Sequence, residues 1–243
     1  MKAVFAVTCC LLVMACEGEK PSLCTVYVFL DATEAKYREA NHYLSDLPII
    51  LRKMNVDTVH GGNNGAEVRF FLINDLSESK SKVRLLSQGV SGMMGQNPLE
   101  RRDEIKKFSR GLSQDLQQLL SSAQWQTNQS KIYQNLCRGL NNLKAAGGDR
   151  KIVIVYSDML ENSDLFSFYE PRSGKIERYI EDPRLAELEL SADCAMPDLS
   201  GVEINIVAFR NKENDEMINR ASQFWLRLFQ SHNATIHFGS ELD

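Results

Sequence analysis

Short apolar runs alternate along the chain with longer stretches whose apolar residues recur every three or four positions. The apolar runs, rich in β-branched residues, predict strands over 25–30, 68–73, 83–86, 152–156, 202–209 and 235–238. The stretches with helical spacing predict helices over about 40–54, 98–122, 130–146 and 214–231. Pro48 is expected to kink the first of these helices or to end it early.

The order of these elements predicts an α/β fold with a doubly wound, mainly parallel central sheet and helices on both faces. No break in composition divides the chain, so residues 25–243 are interpreted as one domain. Residues at about 160–200 contain three prolines and are predicted to form an irregular insert. Connections of this length inside a domain are often functional.

The N-terminus has the pattern of a targeting segment. A lysine at position 2 precedes thirteen uncharged residues, Ala3–Ala15, which is too short a run to span a bilayer of roughly 30 Å. This pattern predicts a signal peptide over 1–15. Ala15-Cys16 followed by polar residues resembles the bacterial lipobox, which implies a lipid on Cys16 and a tether over 16–24. The alternatives are a secreted protein cut near Ala15 and an apolar N-terminus that is simply buried.

The composition is that of a folded domain, with 43% hydrophobic and 25% charged residues. A net charge of −4 argues against a nucleic-acid partner, since such domains are basic. The four histidines lack the spacing of a usual zinc site. With the lipidation pattern, these features favour a membrane-anchored protein of the cell envelope that faces the periplasm or the exterior.

Three cysteines would remain free for pairing after cleavage and acylation: Cys24, Cys137 and Cys194. Cys137 lies among apolar residues with helical spacing and is interpreted as a buried thiol. Cys24 and Cys194 each precede a predicted strand, so both are expected at the same end of the sheet. A Cys24–Cys194 disulfide is therefore one candidate pairing in an oxidising compartment.

Acidic residues directly follow two of the predicted strands. Asp31 ends the first strand and is followed two residues later by Thr33, and Asp158 comes two residues after the strand 152–156. In open α/β sheets, ligands bind at the carboxyl ends of the strands. Two carboxylates held close together repel each other, and a divalent cation removes that repulsion. Carboxylate and hydroxyl oxygens suit a hard cation such as Mg²⁺.

These motifs resemble a known site. Asp31-x-Thr33 is similar to the Asp-x-Ser-x-Ser opening of the metal-ion-dependent adhesion site in von Willebrand factor type A domains, and Ser157-Asp158 is similar to their Thr-Asp-Gly segment. The segment that begins Ser130-Lys131-Ile132-Tyr133 resembles the family's hydroxyl at a helix start, with Thr127 as a nearby alternative to Ser130. The resemblance covers roughly residues 25–240.

The resemblance implies a metal site for Mg²⁺ (or Mn²⁺) whose ligands are Asp31, Thr33, Ser130 and Asp158. An open coordination position would bind a carboxylate of a protein partner. In this chain Ala35 stands where the family has its second serine, and Met159 stands where it has glycine. The missing hydroxyl implies weaker metal binding, although a water can replace it.

Several alternatives remain open. Glu161 or Asp164 of the insert is a candidate to fill the open coordination position from within. A metal-free envelope scaffold with the same fold is the main alternative function. A hydrolase with Asp31 as nucleophile or metal ligand is a weaker one, because Thr33 stands where such phosphatases have a second acid and no Ser-His-Asp order is readable. We therefore expect a binding protein rather than an enzyme.

Overall fold

A six-stranded sheet organises the chain in a computed structural model that describes residues 20–33, 37, 39–74, 81–90, 96–123, 129–164, 166–169, 174–209 and 215–243. The predicted signal peptide and Cys16 lie outside the described residues, as do Ala35 and Thr127. Those predictions therefore stay predictions.

The helices and strands follow one another in an α/β order. They are β1 (Leu23–Asp31), α1 (Ala40–Lys53), β2 (Gly65–Ile73), β3 (Ser81–Leu86), α2 (Pro98–Ser121), α3 (Ile132–Ala145), β4 (Arg150–Tyr156), α4 (Lys175–Glu181), α5 (Pro183–Leu190), β5 (Val202–Val207), α6 (Asp215–Ser231) and β6 (Thr235–Gly239). Within the described residues, no helix is both long and apolar enough to cross a membrane.

The sheet is mixed, with strand order β3-β2-β1-β4-β5-β6. β1 pairs in parallel with β2 and β4, β4 with β5, and β5 with β6, whereas the edge strand β3 runs antiparallel to β2. β1 and β4 lie in the middle and are almost fully buried. Their continuous apolar sequences follow from this position, because both faces of a central strand are covered.

Helices cover both faces of the sheet and create two hydrophobic cores. Alternate residues of β1 point to opposite faces, as the pleat requires. Val26 and Val28 pack with α1 and α2, whereas Tyr27 and Phe29 pack with α3 and α6. Gly139 of α3 lies against the Phe29 ring, and a Cβ there would come within 2.3 Å of Cζ. Glycine at this position therefore allows α3 to approach β1 closely.

Pro48 was expected to kink the first helix or to end it early, and the second of these effects does not occur, because α1 continues to Lys53. Proline removes one backbone hydrogen bond from a helix interior. Leu47, Ile50 and Leu51, on both sides of the proline, are buried in the core beneath α1. Their burial stabilises the second half of the helix in spite of the lost hydrogen bond.

The predicted irregular insert contains two short helices, α4 and α5. Pro183 occupies the first turn of α5, where its missing N–H is not needed. The carboxylate of Asp182 accepts a hydrogen bond from the Arg184 N–H (3.1 Å) and caps this helix. Pro183, one of the three prolines that suggested an irregular segment, is here part of the start of a helix that Asp182 caps.

The disulfide joins Cys137 to Cys194, so the predicted Cys24–Cys194 pair is wrong. Cys24 is a free thiol buried in the core of α1 and α2, whereas Cys194 packs against the core on the opposite face. The sheet separates these two cysteines. Cys137 is buried as expected, but it is oxidised rather than free.

We expect reduction of the disulfide to destabilise the protein. The bond joins residues 57 positions apart, and closing a loop of that length is worth about 4 kcal/mol in the chain-entropy treatment. The measurement is urea unfolding with and without dithiothreitol. The C137A/C194A double variant should lose the effect of dithiothreitol. C24A should keep it, and a C24A variant insensitive to dithiothreitol would contradict the Cys137–Cys194 pairing.

Candidate functional site

The parallel pairing of β1 with β4 brings two acidic side chains to one rim of the sheet. Leu30 is paired with Tyr156, so Asp31 and the segment Ser157-Asp158 leave their strands at the same level. Both carboxylates are almost fully enclosed, with 1% of Asp31 and 2% of Asp158 exposed. The expectation that parallel strand ends would bring these two acids to the same rim is met.

Both oxygens of the Asp31 carboxylate accept hydrogen bonds. Oδ1 accepts from the backbone N–H (2.9 Å) and the hydroxyl (2.5 Å) of Thr33. Oδ2 accepts from the Ser157 hydroxyl (2.6 Å), which crosses from the neighbouring strand. Ser157 was not among the site residues expected from the sequence. The pairing of β1 with β4 could have indicated it, because the residue after Tyr156 lies beside the residue after Leu30.

The segment after β4 has an unusual backbone conformation. Met159 has φ of 63°, in the left-handed region that favours glycine, although its side chain is fully buried. Its N–H donates to the Ser157 hydroxyl (2.9 Å), and its carbonyl accepts from Nε1 of Trp225 (2.8 Å). The Leu160 N–H donates to Oδ1 of Asp158 (3.1 Å). These bonds hold the turn that carries Asp158.

Ser130 is held against the same segment, just before α3. Its backbone forms an isolated bridge with Asn162, with N–H to carbonyl distances of 2.9 and 3.0 Å in the two directions. Its hydroxyl oxygen is buried and has no hydrogen-bond partner among the described residues. A buried hydroxyl without a hydrogen-bond partner is uncommon in folded proteins.

Glu161 and Asp164, the two candidates for an internal ligand, make hydrogen bonds to other parts of the chain. The Glu161 carboxylate accepts the Tyr133 N–H (2.8 Å) and so caps the first turn of α3. Asp164 is exposed and accepts a hydrogen bond from Gln129 (2.6 Å). Glu161 thus caps a helix in this structure. Its position in the sequence, five residues after the end of β4, gave no signal of that role.

Burial raises the pKa values of Asp31 and Glu161. The pKa of Asp31 rises to about 6 because the carboxyl is desolvated and because Asp158 is close by, while the bonds from Ser157 and Thr33 act in the opposite direction. The pKa of Glu161 rises to about 7, mainly through desolvation, with a smaller contribution from the charge of Asp31. The rim therefore holds mutually repelling carboxylates in a region that water reaches poorly.

The oxygen atoms that these side chains could offer to a metal suit a hard divalent cation. Asp31, Asp158, Thr33 and Ser130 offer carboxylate and hydroxyl oxygens at the same end of the sheet, and the Ser130 hydroxyl has no hydrogen-bond partner in the part of the chain that the structure describes. The described part of the chain contains no cluster of three or more His, Cys, Asp or Glu side chains arranged to hold a metal ion. Any metal here would thus depend on the two hydroxyls and on water as well as on the two acids.

Comparison of the sequence with protein families and with curated proteins finds no match. Comparison with solved structures finds matches that include a mutant of the PilB minor pilin from Streptococcus sanguinis, with 9% identity and a TM-score of 0.48, covering 92% of this chain and 57% of that one. A second match is the human COPII-coat protein Sec24c, with 13% identity and a TM-score of 0.45, covering 93% of this chain and 30% of that one. A third is the pilus adhesin SpaC from Lactobacillus rhamnosus GG, with 11% identity and a TM-score of 0.38, covering 88% of this chain and 30% of that one. The chain spans little more than half the length of the first and less than a third of the other two.

We expect the free energy of unfolding in EDTA to fall as the pH rises from 5 to 7.5. Asp31 and Glu161 have raised pKa values in the folded state, so the folded protein binds more protons than the unfolded chain across this window. For Asp31 alone, a pKa of about 6 against 3.8 corresponds to about 3 kcal/mol between low and neutral pH. Urea unfolding at several pH values measures the effect.

The D31N variant should show a smaller fall, since the amide does not titrate. D103N removes an exposed carboxylate, 69% accessible, and should keep the wild-type profile. Stability that stays level or increases from pH 5 to 7.5 in EDTA would be inconsistent with this account of the buried acids.

Proposed function

We propose that this chain is a binding domain outside the cytoplasm that holds a Mg²⁺ or Mn²⁺ ion between Asp31, Thr33, Ser130 and Asp158. A carboxylate of a protein partner would complete the coordination of the ion. The bound ion would supply a fixed positive charge at a rim that otherwise carries negative charge. The lipid proposed on Cys16 would tether the domain to a membrane.

The buried, unpartnered hydroxyl of Ser130 is the observation that supports this proposal most directly. It lies at the same end of the sheet as two enclosed carboxylates, of which Asp31 has a raised pKa. Leaving a buried hydroxyl without a hydrogen bond costs about 1–3 kcal/mol. A cation offers that oxygen a partner and at the same time removes the repulsion between Asp31 and Asp158.

The fold supports placing the chain near the von Willebrand factor type A domains. We propose that the sheet belongs to their doubly wound class, because four of its five strand pairs are parallel and helices cover both faces. The left-handed conformation of Met159 at the position of the family's glycine agrees with this placement.

The disulfide supports a location outside the cytoplasm. Bonds between cysteines persist in oxidising compartments and are rare in the cytosol. Cys137–Cys194 closes a long segment and lies at an end of the insert. With the lipobox-like segment at Ala15-Cys16, it favours a lipid-anchored protein of the cell envelope that faces the periplasm or the exterior.

A metal-free scaffold is the second candidate, and the hydrogen bonds of Asp31 favour it. Both Asp31 oxygens already accept bonds, and Glu161 caps α3, so much of the rim is satisfied without an ion. A hydrolase has less support. The Asp31 carboxylate is 1% exposed and bonded on both oxygens, which leaves little room for it to act as a nucleophile.

We expect Mg²⁺ or Mn²⁺ to raise the thermal unfolding temperature of the full chain relative to EDTA. A ligand at about 100 times its dissociation constant stabilises the folded state by about 2.7 kcal/mol. D158N and S130A should each reduce the shift, because each removes one of the proposed oxygen ligands. Differential scanning calorimetry with increasing metal concentration measures it.

The matched control is D164N, which removes an exposed acid from the same end of the sheet. It should respond to metal as the wild type does. Absence of any metal-dependent shift in the wild type would rule out the metal site and leave the scaffold, whereas a shift that D164N loses equally would indicate diffuse attraction to the acidic rim.

A further inference from the structure

The chain enters the domain at the end of the sheet opposite the rim with the two buried carboxylates. The first and last residues of β1 (Leu23–Asp31) lie about 26 Å apart by the rise of a parallel strand. Just before β1, the Ser22 N–H donates to Oδ1 of Asn64 (3.0 Å). Nε2 of Gln88 donates to the Pro21 carbonyl (2.7 Å). These bonds fix the point at which the chain enters, far from the rim.

Three aliphatic side chains are exposed at this same end. Val59 is 67% exposed, Val90 62% and Leu99 67%. The loop that carries Val59 lies against α2, because a Cβ on Gly61 would come within 3.4 Å of a backbone oxygen in the first turn of that helix. The Val90 carbonyl accepts a hydrogen bond from Gln96 (3.4 Å), two residues before α2 begins. We call the surface formed by Val59, Val90 and Leu99 the entry surface.

Hydrogen bonds join the segments that form the entry surface. Arg101 of α2 is 1% exposed, and its guanidinium donates to the carbonyls of Gly62 (3.1 Å) and Asn64 (2.7 Å). The Gly89 N–H donates to the Asn63 carbonyl (2.8 Å). The two loops and the start of α2 therefore form one unit with the entering chain. A surface held in this way loses little conformational freedom when it is covered.

The length of the tether determines what this surface can meet. Four residues, 17–20, separate Cys16 from Pro21, so even a fully extended chain spans at most about 18 Å between them. This step rests on the lipid that we propose on Cys16. With that lipid in a bilayer, the entry surface stays within this distance of the membrane. The rim is about 26 Å from the entry point, so the domain cannot turn its rim onto the same membrane.

We propose that the entry surface rests on the lipid bilayer and that the rim faces away from it. The three aliphatic side chains would enter the headgroup layer, where apolar groups of peripheral proteins bind. Basic Lys20 and Arg102 and acidic Glu100 and Asp103 flank this surface, so it has no strong charge that would attract a highly charged partner.

The contact with lipid would set the orientation of the domain rather than the strength of its attachment. Three aliphatic side chains bury too little apolar area to hold a protein on a membrane, and stable anchoring takes a second signal. The tether supplies it by keeping the surface at a high effective concentration near the lipid. A protein partner of the rim would then approach from the side away from the membrane.

Fluorescence quenching on vesicles tests this orientation. The full chain is produced in a bacterial host that acylates lipobox cysteines and is reconstituted in phosphatidylcholine vesicles that carry nitroxide-labelled headgroups. EDTA is present, so the result does not depend on the metal site. A fluorophore on L99C should lose most of its emission. The same fluorophore on V83C, an exposed position on β3 (49%), or on D164C, beside the rim (76%), should keep its emission.

The V59S/V90S changes in the L99C chain should abolish most of the quenching while the protein still floats with the vesicles. Equal quenching at positions 99, 83 and 164 in a chain that floats would overturn the proposal and leave the lipid anchor standing. A chain that does not float would overturn the anchor, and this proposal with it. A wild-type dimer in sedimentation that V59S/L99S abolishes, without quenching at position 99, would identify a second copy as the occupant instead of lipid.

Discussion

The burial of the Asp31 carboxylate at the end of the central strand is the constraint on which the rim depends. Enclosing an acid in a poorly hydrated site is costly unless hydrogen bonds compensate it. Thr33 supplies that compensation within the β1 turn and Ser157 supplies it from β4. The bond from Ser157 also fixes the turn after β4, since the same hydroxyl accepts the Met159 N–H. One buried charge thus determines the positions of two strand ends.

The insert and the rim form a single connected unit through α3. The chain leaves Asp158, caps the first turn of α3 with Glu161, and forms the bridge between Asn162 and Ser130. After α4 and α5 it returns to α3 through the disulfide of Cys194. The segment is therefore attached to α3 near both of its ends.

The spacing of apolar residues was sufficient to predict most strands and helices, because buried positions recur along the chain with the period of the strand or helix. Asp31 and Asp158 could be placed together for the same reason, since parallel strands end at one edge. The disulfide could not be predicted, because the pairing depends on which face of the sheet each cysteine occupies. Cys24 lies on the same face as Val26 and Val28, but nothing in the sequence shows to which face the insert folds. The roles of Ser157 and Glu161 likewise depend on contacts between distant segments.

Met159 shows how a bulky side chain can occupy a backbone conformation that glycine adopts more readily. A non-glycine residue in the left-handed region costs of the order of 1–3 kcal/mol. Here the buried methionine side chain and the bond from Trp225 to its carbonyl offset that cost, and the backbone keeps a conformation that glycine would adopt. The substitution at 159 therefore leaves the shape of the turn intact. In the metal site proposed above, Ala35 would offer no side-chain oxygen, so water and the Ser130 hydroxyl would have to supply the oxygens that the two acids and Thr33 do not.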